Sequence, residues 1–423
     1  MLKHWAKQLL PGRYRPIFLR IVAVLNAAAD FPAALRLRLF ARAKPLAANL
    51  ARRERRIVFV SERPSWREAK LAFGLKKAGW DVILLHRHPP AAVASEDVAE
   101  MQQFSSPSNA VELARRSGAG LFHVFAQNCD DTCVKMVDHK PGHVIIDFYD
   151  DFASVIDGLP EMADKFAVDA AKQDYCIERA DAFCCRDLQL QYHRKTRPVG
   201  RGRPVLYFPE YCWNRHALPP LRNDGETHVV QIGWMGFETR GERDLGCFLV
   251  ARAFVEAGCH FHIYLHPSFP APGTALFHSQ FRDYLELQVR TGRVWIHETL
   301  PSQDVVGAIA RYDFGFNMLN GSSFDNIPWT HTNPRRFPYC GSGRMFDYLD
   351  AGLGMFADST LALMHHTFGR YGVILDGSAL VRTNGIRDAL SKRPAREQVL
   401  RARDHLSVAR NIGRLTRFYD RFE

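Results

Sequence analysis

Short apolar runs and amphipathic stretches alternate along this chain in two successive series, and few architectures accept that pattern. Arg56-Ile57-Val58-Phe59-Val60 is an apolar run of the kind expected for a parallel strand covered on both faces. The loop Ser61-Glu62-Arg63-Pro64-Ser65 follows. A helical stretch then carries Trp66, Ala69, Leu71, Ala72, Leu75 and Ala78 and ends at Gly79. Residues 80–85 read as the next strand, which completes a βαβ unit. Further strands are expected at 121–125, 144–148, 182–185 and 205–208, with a helix over 160–180. The polar, turn-rich residues 214–227 read as a linker. A second series follows, with strands at 228–232, 260–265, 293–296, 313–317, 353–357 and 373–376 and helices at 243–257 and 343–351. Right-handed βαβ crossovers make each series a doubly wound parallel sheet that binds ligands at the carboxyl ends of its strands. The pattern predicts an α/β protein of two Rossmann-like domains, residues 57–213 and 228–395, facing across a cleft. The basic tail 396–423 is expected to be helical and to pack back on the first domain.

Length agrees with two domains, because 423 residues exceed the ~250–300 that one core supports. Charge is distributed unevenly. Residues 1–56 contain thirteen Lys or Arg and only Asp30 and Glu54 as acids, so they hold the whole net charge of +11. The rest is balanced, which argues against a nucleic-acid-binding body. Within 1–56, Ile17, Leu19, Ile21, Val22, Val24, Leu25, Leu35, Leu37 and Leu39 alternate with Arg36, Arg38 and Arg42. Such a helical extension either lies on an anionic membrane surface or packs on the body with its arginines in water. No apolar run reaches the ~18–20 residues of a membrane span. The nine cysteines form no CxxC pair and no zinc spacing, which fits free thiols in a reducing cytoplasm. Neither Val60-Ser61-Glu62-Arg63 nor Ile232-Gly233-Trp234-Met235-Gly236 is a G-x-G-x-x-G, so a nicotinamide-dependent oxidoreductase ranks last.

The segment with most chemistry is Gly341-Ser342-Gly343-Arg344-Met345-Phe346-Asp347-Tyr348-Leu349-Asp350-Ala351-Gly352-Leu353. It is a glycine loop opening a helix. Backbone N–H groups at a helix start bind phosphate, and Arg344 adds a forked cation. Asp347, one turn on, can accept from ribose hydroxyls. The plain reading is a helix start whose Arg344 and Asp347 form a surface pair.

This run resembles the "K-x-F-E-Y-L-A-A-G-x-P-V" stretch of GT-B glycosyltransferases of the family-4, or "group 1", type. Leu300-Pro301-Ser302-Gln303-Asp304-Val305-Val306 with Tyr312-Asp313-Phe314-Gly315 is similar to their "LP-x-x-E-L…AD" segment. Ile232-Gly233-Trp234-Met235 with Arg240-Gly241 resembles their "GR-L-x-x-x-KG" loop. Ile145-Ile146-Asp147-Phe148-Tyr149-Asp150-Asp151 and Glu178-Arg179-Ala180-Asp181-Ala182 resemble strand-end and helix-end steps of the first domain. The likeness spans residues 57–423 and identifies the chain as a divergent member.

The resemblance implies transfer of a sugar from a nucleoside-diphosphate sugar to an acceptor hydroxyl, with no bound metal and no cofactor. The acceptor would be a glycan or lipid-linked precursor. Gly233, Arg240 and Arg344 would hold the donor diphosphate, the amides of Gly341, Ser342 and Gly343 its distal phosphate, and Asp347 the ribose. Asp150 or Asp151 would be the base toward the acceptor, although either could instead cap the next helix. His123 would be a cleft histidine, or else a satisfied core group. Tyr339 stands where the family has the first glutamate of its E-x7-E pair, and this leaves a nucleotide- or glycan-binding relic as the alternative. Residues 317–340, with Phe324, Trp329, His331, Arg335 and Arg336, read as a lid or a disordered insertion.

Overall fold

The computed structural model describes residues 55–422 except 91, 128–129, 157–159, 197–199, 201, 221–224, 234–246, 268, 318–333 and 378–384. The segment 1–54, Arg240 and most of the expected lid therefore lie outside the described residues.

Two parallel sheets carry the fold. The first holds β1 (Arg56–Ser61), β2 (Asp81–His86), β3 (Glu100–Gln103), β4 (Leu121–Ala126), β5 (His143–Phe148), β6 (Ala182–Cys185) and β7 (Val205–Tyr207) in the order 3-2-1-4-5-6-7. The second holds β8 (His228–Gly233), β9 (His260–Leu265), β10 (Val294–His297), β11 (Phe314–Asn317), β12 (Gly354–Ala357) and β13 (Ile374–Asp376) in the order 10-9-8-11-12-13. The two orders are the same winding repeated. Each reverses direction beside its first strand, at β1/β4 and at β8/β11, which is the doubly wound switch point.

The strands form where both faces are covered. Ile57, Val58, Phe59 and Val60 are all fully buried, so β1 is apolar throughout rather than alternating. Every strand expected from the sequence is present to within a residue or two. One strand escaped that reading: β3, Glu-Met-Gln-Gln, pairs with β2 at the sheet edge and buries none of its residues fully, so no apolar run marks it.

Two features join the halves. The backbone of Cys212 accepts from Val408 N–H at 2.8 Å and donates to Leu406 at 2.7 Å, so the crossing segment and the chain's last part run side by side. The helix Val408–Tyr419 then lies on the helix Trp66–Lys77 of the first domain. Gly74 makes this contact close: a Cβ there would stand 2.9 Å from Ile412 Cδ1. No helix among the described residues is long and apolar enough to cross a membrane.

Candidate active site

The cleft is built from the carboxyl ends of β5, β6 and β7 on one side and the helix Gly343–Asp350 on the other. Tyr348 sets the pose of that helix. Its hydroxyl accepts from Ile232 N–H of β8 at 3.0 Å and donates to Phe316 C=O of β11 at 2.8 Å, which ties the helix to the switch point of the second sheet. Asp350 fixes the far end, accepting from the amides of Trp213 and Asn214 at 2.9 Å each and from Arg403 at 3.1 Å. Of the expected donor-binding residues on this helix, Gly343 and Asp347 meet the first domain, whereas Arg344 lies beside Gly233 of the second.

Gly233 ends β8 with φ +77°, a left-handed conformation, and a Cβ there would lie 3.7 Å from an Arg344 guanidinium nitrogen. Arg344 and Gly233 are therefore neighbours although 111 positions separate them. Gly341 N–H donates to the buried Asp187 carboxylate at 3.1 Å. Ser342 Oγ accepts from Asn317 at 3.0 Å. A Cβ on Gly343 would meet Glu210 Cγ at 3.2 Å. Asp347 pairs with Lys70 of the first domain at 2.9 Å and keeps 17% of its side chain exposed. Burial works against the Lys70 charge, but Asp347, then Glu210 and Asp350, outweigh it and hold the ammonium above its ordinary pKa. So the loop and helix expected to receive a diphosphate and ribose meet first-domain groups in this arrangement.

The paired acids at the end of β5 part company. Asp150 keeps 45% of its side chain in solvent, with Arg186 at 3.6 Å and Arg336 at 3.9 Å. Asp151 is buried and meets His193 Nδ1 at 2.8 Å. A small recess lies beside them, lined by Tyr149, Asp150, Asp151, Gln173, Asp187 and Gln189 among others. Arg186 donates to Tyr149 C=O at 2.8 Å and approaches Glu210 at 3.8 Å. Burial opposes the Arg186 charge, and Asp150 and Asp187 more than restore it. Burial also pushes the Asp187 carboxyl up, against Arg186 and the Gln189 bonds. Tyr339 packs on Tyr192, and its hydroxyl accepts from Lys195 at 3.0 Å.

His123 sits elsewhere. It is fully buried, with Nε2 2.9 Å from Asp147 and Nδ1 2.5 Å from Tyr419 Oη. Arg67 donates to the same Asp147 oxygen at 2.7 Å and to Phe208 C=O at 2.9 Å. Burial pushes His123 toward its neutral form, Asp147 opposing. The loop 61–65 is closed by a capping box: Glu68 accepts from Ser61 at 2.7 Å, from Ser65 N–H at 2.9 Å and from Tyr149 Oη at 3.1 Å.

Sequence reasoning missed Lys70, Arg186, Asp187 and Glu210. A faint signal existed for the last three, since each follows a strand end directly or within three residues, where cleft residues collect. Lys70 is an ordinary helix residue until the fold places Asp347 opposite.

Comparison with known proteins rests on structure. A scan against protein-family models gives no match, and neither does a search of curated proteins. Solved structures do match. A sucrose-phosphate synthase from Thermosynechococcus elongatus superposes with a TM-score of 0.57 at 12% identity, covering 88% of this chain and all of that one. An alpha-glucosyltransferase in complex with UDP-glucose and DNA containing an abasic site gives 0.52 at 9% identity, over 84% and 94%. A glycosyltransferase involved in avilamycin A biosynthesis gives 0.51 at 13%, over 86% and 96%. Two sheets wound alike, a shared cleft and these superpositions over nearly whole chains establish that this protein has the GT-B fold.

Proposed function

We propose that the chain is a glycosyltransferase that moves a sugar from a nucleoside-diphosphate sugar to an acceptor hydroxyl. The observation that carries this reading is the convergence of Gly233, the Gly341–Gly343 loop and Arg344 at the switch point of the second sheet, opposite the half-exposed Asp150. A helix start with a neighbouring arginine suits a diphosphate leaving group, whose developing charge it would stabilise. Arg240 would add a second cation, which makes a metal unnecessary for the charge. Asp150 is the better placed of the two acids to deprotonate an acceptor, because 45% of its side chain is in solvent while Asp151 is buried. The neighbour that holds UDP-glucose has the same fold, which makes a uracil nucleotide the first to try. The acceptor is proposed to be a cell-surface glycan or a lipid-linked precursor handled at the cytoplasmic face of a membrane, on the strength of the basic residues 1–56.

A specific observation favours the alternative of a binding relic. Gly341 N–H and Asp347 already have internal partners in Asp187 and Lys70, and Tyr339 replaces a glutamate. One experiment separates the readings. Thermal melts are recorded against UDP, GDP, ADP, CMP, their sugars and NAD, with Arg344→Ala alongside. At ~100 times its dissociation constant, a ligand stabilises by about 2.7 kcal/mol. A shift with one nucleoside diphosphate, lost in Arg344→Ala, and hydrolysis of its sugar are expected. A shift without any turnover supports the relic, and no shift with any nucleotide removes both.

A further inference from the structure

The second sheet carries a polar cluster at the end opposite the cleft. His228 and His260 are the first residues of β8 and β9 and stand side by side in register, on the amino edge of the sheet. Their rings stack with centroids 4.7 Å apart and planes 12° from parallel. Glu226, two residues before β8, reaches back so that its Oε2 lies 2.8 Å from His260 Nε2. One donor atom from each of Glu226, His228 and His260 lies within 4.8 Å of the others. We propose that these three residues bind a divalent transition metal of the zinc class, which pins the segment joining the two domains to the amino edge of the second sheet.

The donor set is that of a zinc site with an open position: two imidazole nitrogens, one carboxylate oxygen and room for a water. At zinc bond lengths of about 2.0–2.2 Å, tetrahedral ligands stand about 3.4 Å apart. The cluster therefore has to open slightly between Glu226 and His260, close elsewhere, and turn one of the two stacked rings, because a metal lies in the plane of each imidazole that binds it. Glu226, with 44% of its side chain exposed, has the freedom to do so. Its other oxygen has Arg293 at 3.7 Å, a partly exposed neighbour that leaves the ligating oxygen to the metal.

The shell behind His228 is what distinguishes this group from a chance cluster, while His260 Nδ1 faces the Trp295 N–H donor. A metal-bound histidine needs its other nitrogen to donate to an acceptor, which fixes tautomer and ring pose. His228 Nδ1 lies 2.9 Å from His262 Nε2, and His262 Nδ1 lies 3.0 Å from His297 Nε2. With protons on both Nδ1 atoms, the row donates in one direction, away from the metal, and leaves Nε2 of His228 as the ligating atom. Strand alternation puts His260, His262 and Tyr264 on one face of β9, so the row is a property of the sheet.

His260 supplies the proton ledger. Trp295 Nε1–H donates to its Nδ1 at 3.2 Å, so in the metal-free protein the ring proton is on Nε2, facing Glu226. The metal takes that place, the proton moves to Nδ1, and Trp295 turns away. At 43% exposure Trp295 has space to turn, which makes its fluorescence a reporter. The other close group, His123, Asp147 and Cys184, is different: Arg67 already supplies the positive charge, and burial pushes the Cys184 thiol well up.

The test uses the full chain, freed of metal with a chelator. Zn2+ is titrated in competition with a chromophoric chelator, and Co2+ is added separately for its visible absorption. One Zn2+ per chain, a Co2+ spectrum of nitrogen and oxygen ligation, and a fluorescence change absent in Trp295→Phe are expected. Glu226→Gln and His260→Gln should each weaken binding more than about tenfold, while His278→Gln, a surface histidine elsewhere, should not. Metal-free melting points of the two ligand variants close to wild type keep ligand loss apart from fold loss. No stoichiometric Zn2+ uptake, or uptake unchanged in the Glu226→Gln/His260→Gln double variant, overturns the site.

Discussion

Arg67, Asp147, His123 and Tyr419 form a chain of charged and polar groups in which each side chain is essentially out of solvent. Asp150, Arg186, Arg336, Lys70 and Asp347 form another at the domain boundary, and there Asp150 and Asp347 keep part of their surface wet. Composition does not separate the two, since both contain acids paired with cations. Access does. In the sealed chain, burial alone would raise the Asp147 pKa, and Arg67 followed by His123 overrides it and holds the carboxyl below its ordinary value. That chain ties three elements of the first domain to the C-terminal helix through Tyr419. At the boundary the same kinds of group are reached by solvent, at Asp150 and at Asp347. A sealed network holds the fold together, whereas a half-open one can exchange its internal partners for a substrate.

The largest expected effect breaks this comparison if it fails. Asp147→Ala strands the Arg67 guanidinium without its counter-charge in a buried site. Removing one partner of a buried pair costs about 3–5 kcal/mol. Asp150→Ala removes a half-exposed carboxylate, and exposed pairs contribute about 0–1 kcal/mol. Urea denaturation of both variants should therefore give widely different midpoints with similar slopes. Activity should show the reverse order, with Asp150→Ala nearly as stable as wild type and severely impaired in transfer. Equal destabilisation would mean that access does not sort these networks.

Much of this was legible in the sequence, and the failures have physical causes. Parallel strands buried on both faces are written as apolar runs, so twelve of the thirteen described strands could be read directly. β3 could not, because an edge strand with two glutamines and a glutamate is held by backbone pairing with β2 rather than by burial. Asp150 and Asp151 were found as a pair, but not their division of labour. That depends on His193, 42 positions on, arriving at Asp151. His123 shows the same limit, since its partner Tyr419 lies 296 positions away. The cluster of Glu226, His228 and His260 had a visible trace in His260-Phe261-His262, where alternate histidines in a strand share one face. Its meaning awaited the neighbouring strand.

The boundary itself can be sharpened through Lys70. Lys70→Met keeps the length of the side chain and removes its charge, which leaves Asp347 at the interface with no ammonium. An unsatisfied buried polar group costs about 1–3 kcal/mol and a buried charge more, but less where water reaches it. With 17% of its surface exposed, Asp347 should sit at the low end of that range. If Asp347 receives the donor ribose, losing its internal partner should also tighten nucleotide binding by about 1 kcal/mol, as read by isothermal titration. Unchanged nucleotide affinity would assign the Lys70–Asp347 pair to domain docking alone.

A pH profile tests an acid that lies between the two regimes. Asp130 caps the helix Asp131–His139, accepting from Cys133 N–H at 3.1 Å. Burial, and then the like charge of Glu62, push its carboxyl up to about 7. An unfolded aspartate titrates near pH 3.9, so between about pH 4 and about 7 the folded chain binds the extra proton. The stability contributed by this group is therefore complete at low pH and is lost as pH rises through that window. The slope cannot exceed about 1.4 kcal/mol per pH unit for one proton. Asp130→Asn keeps a good cap and cannot ionise. Its unfolding free energy should fall less steeply than wild type over the window and exceed wild type at pH 8. Parallel pH profiles for the two proteins would show that Asp130 is solvated enough to behave like the open boundary acids, which would move the line between sealed and half-open groups closer to the core.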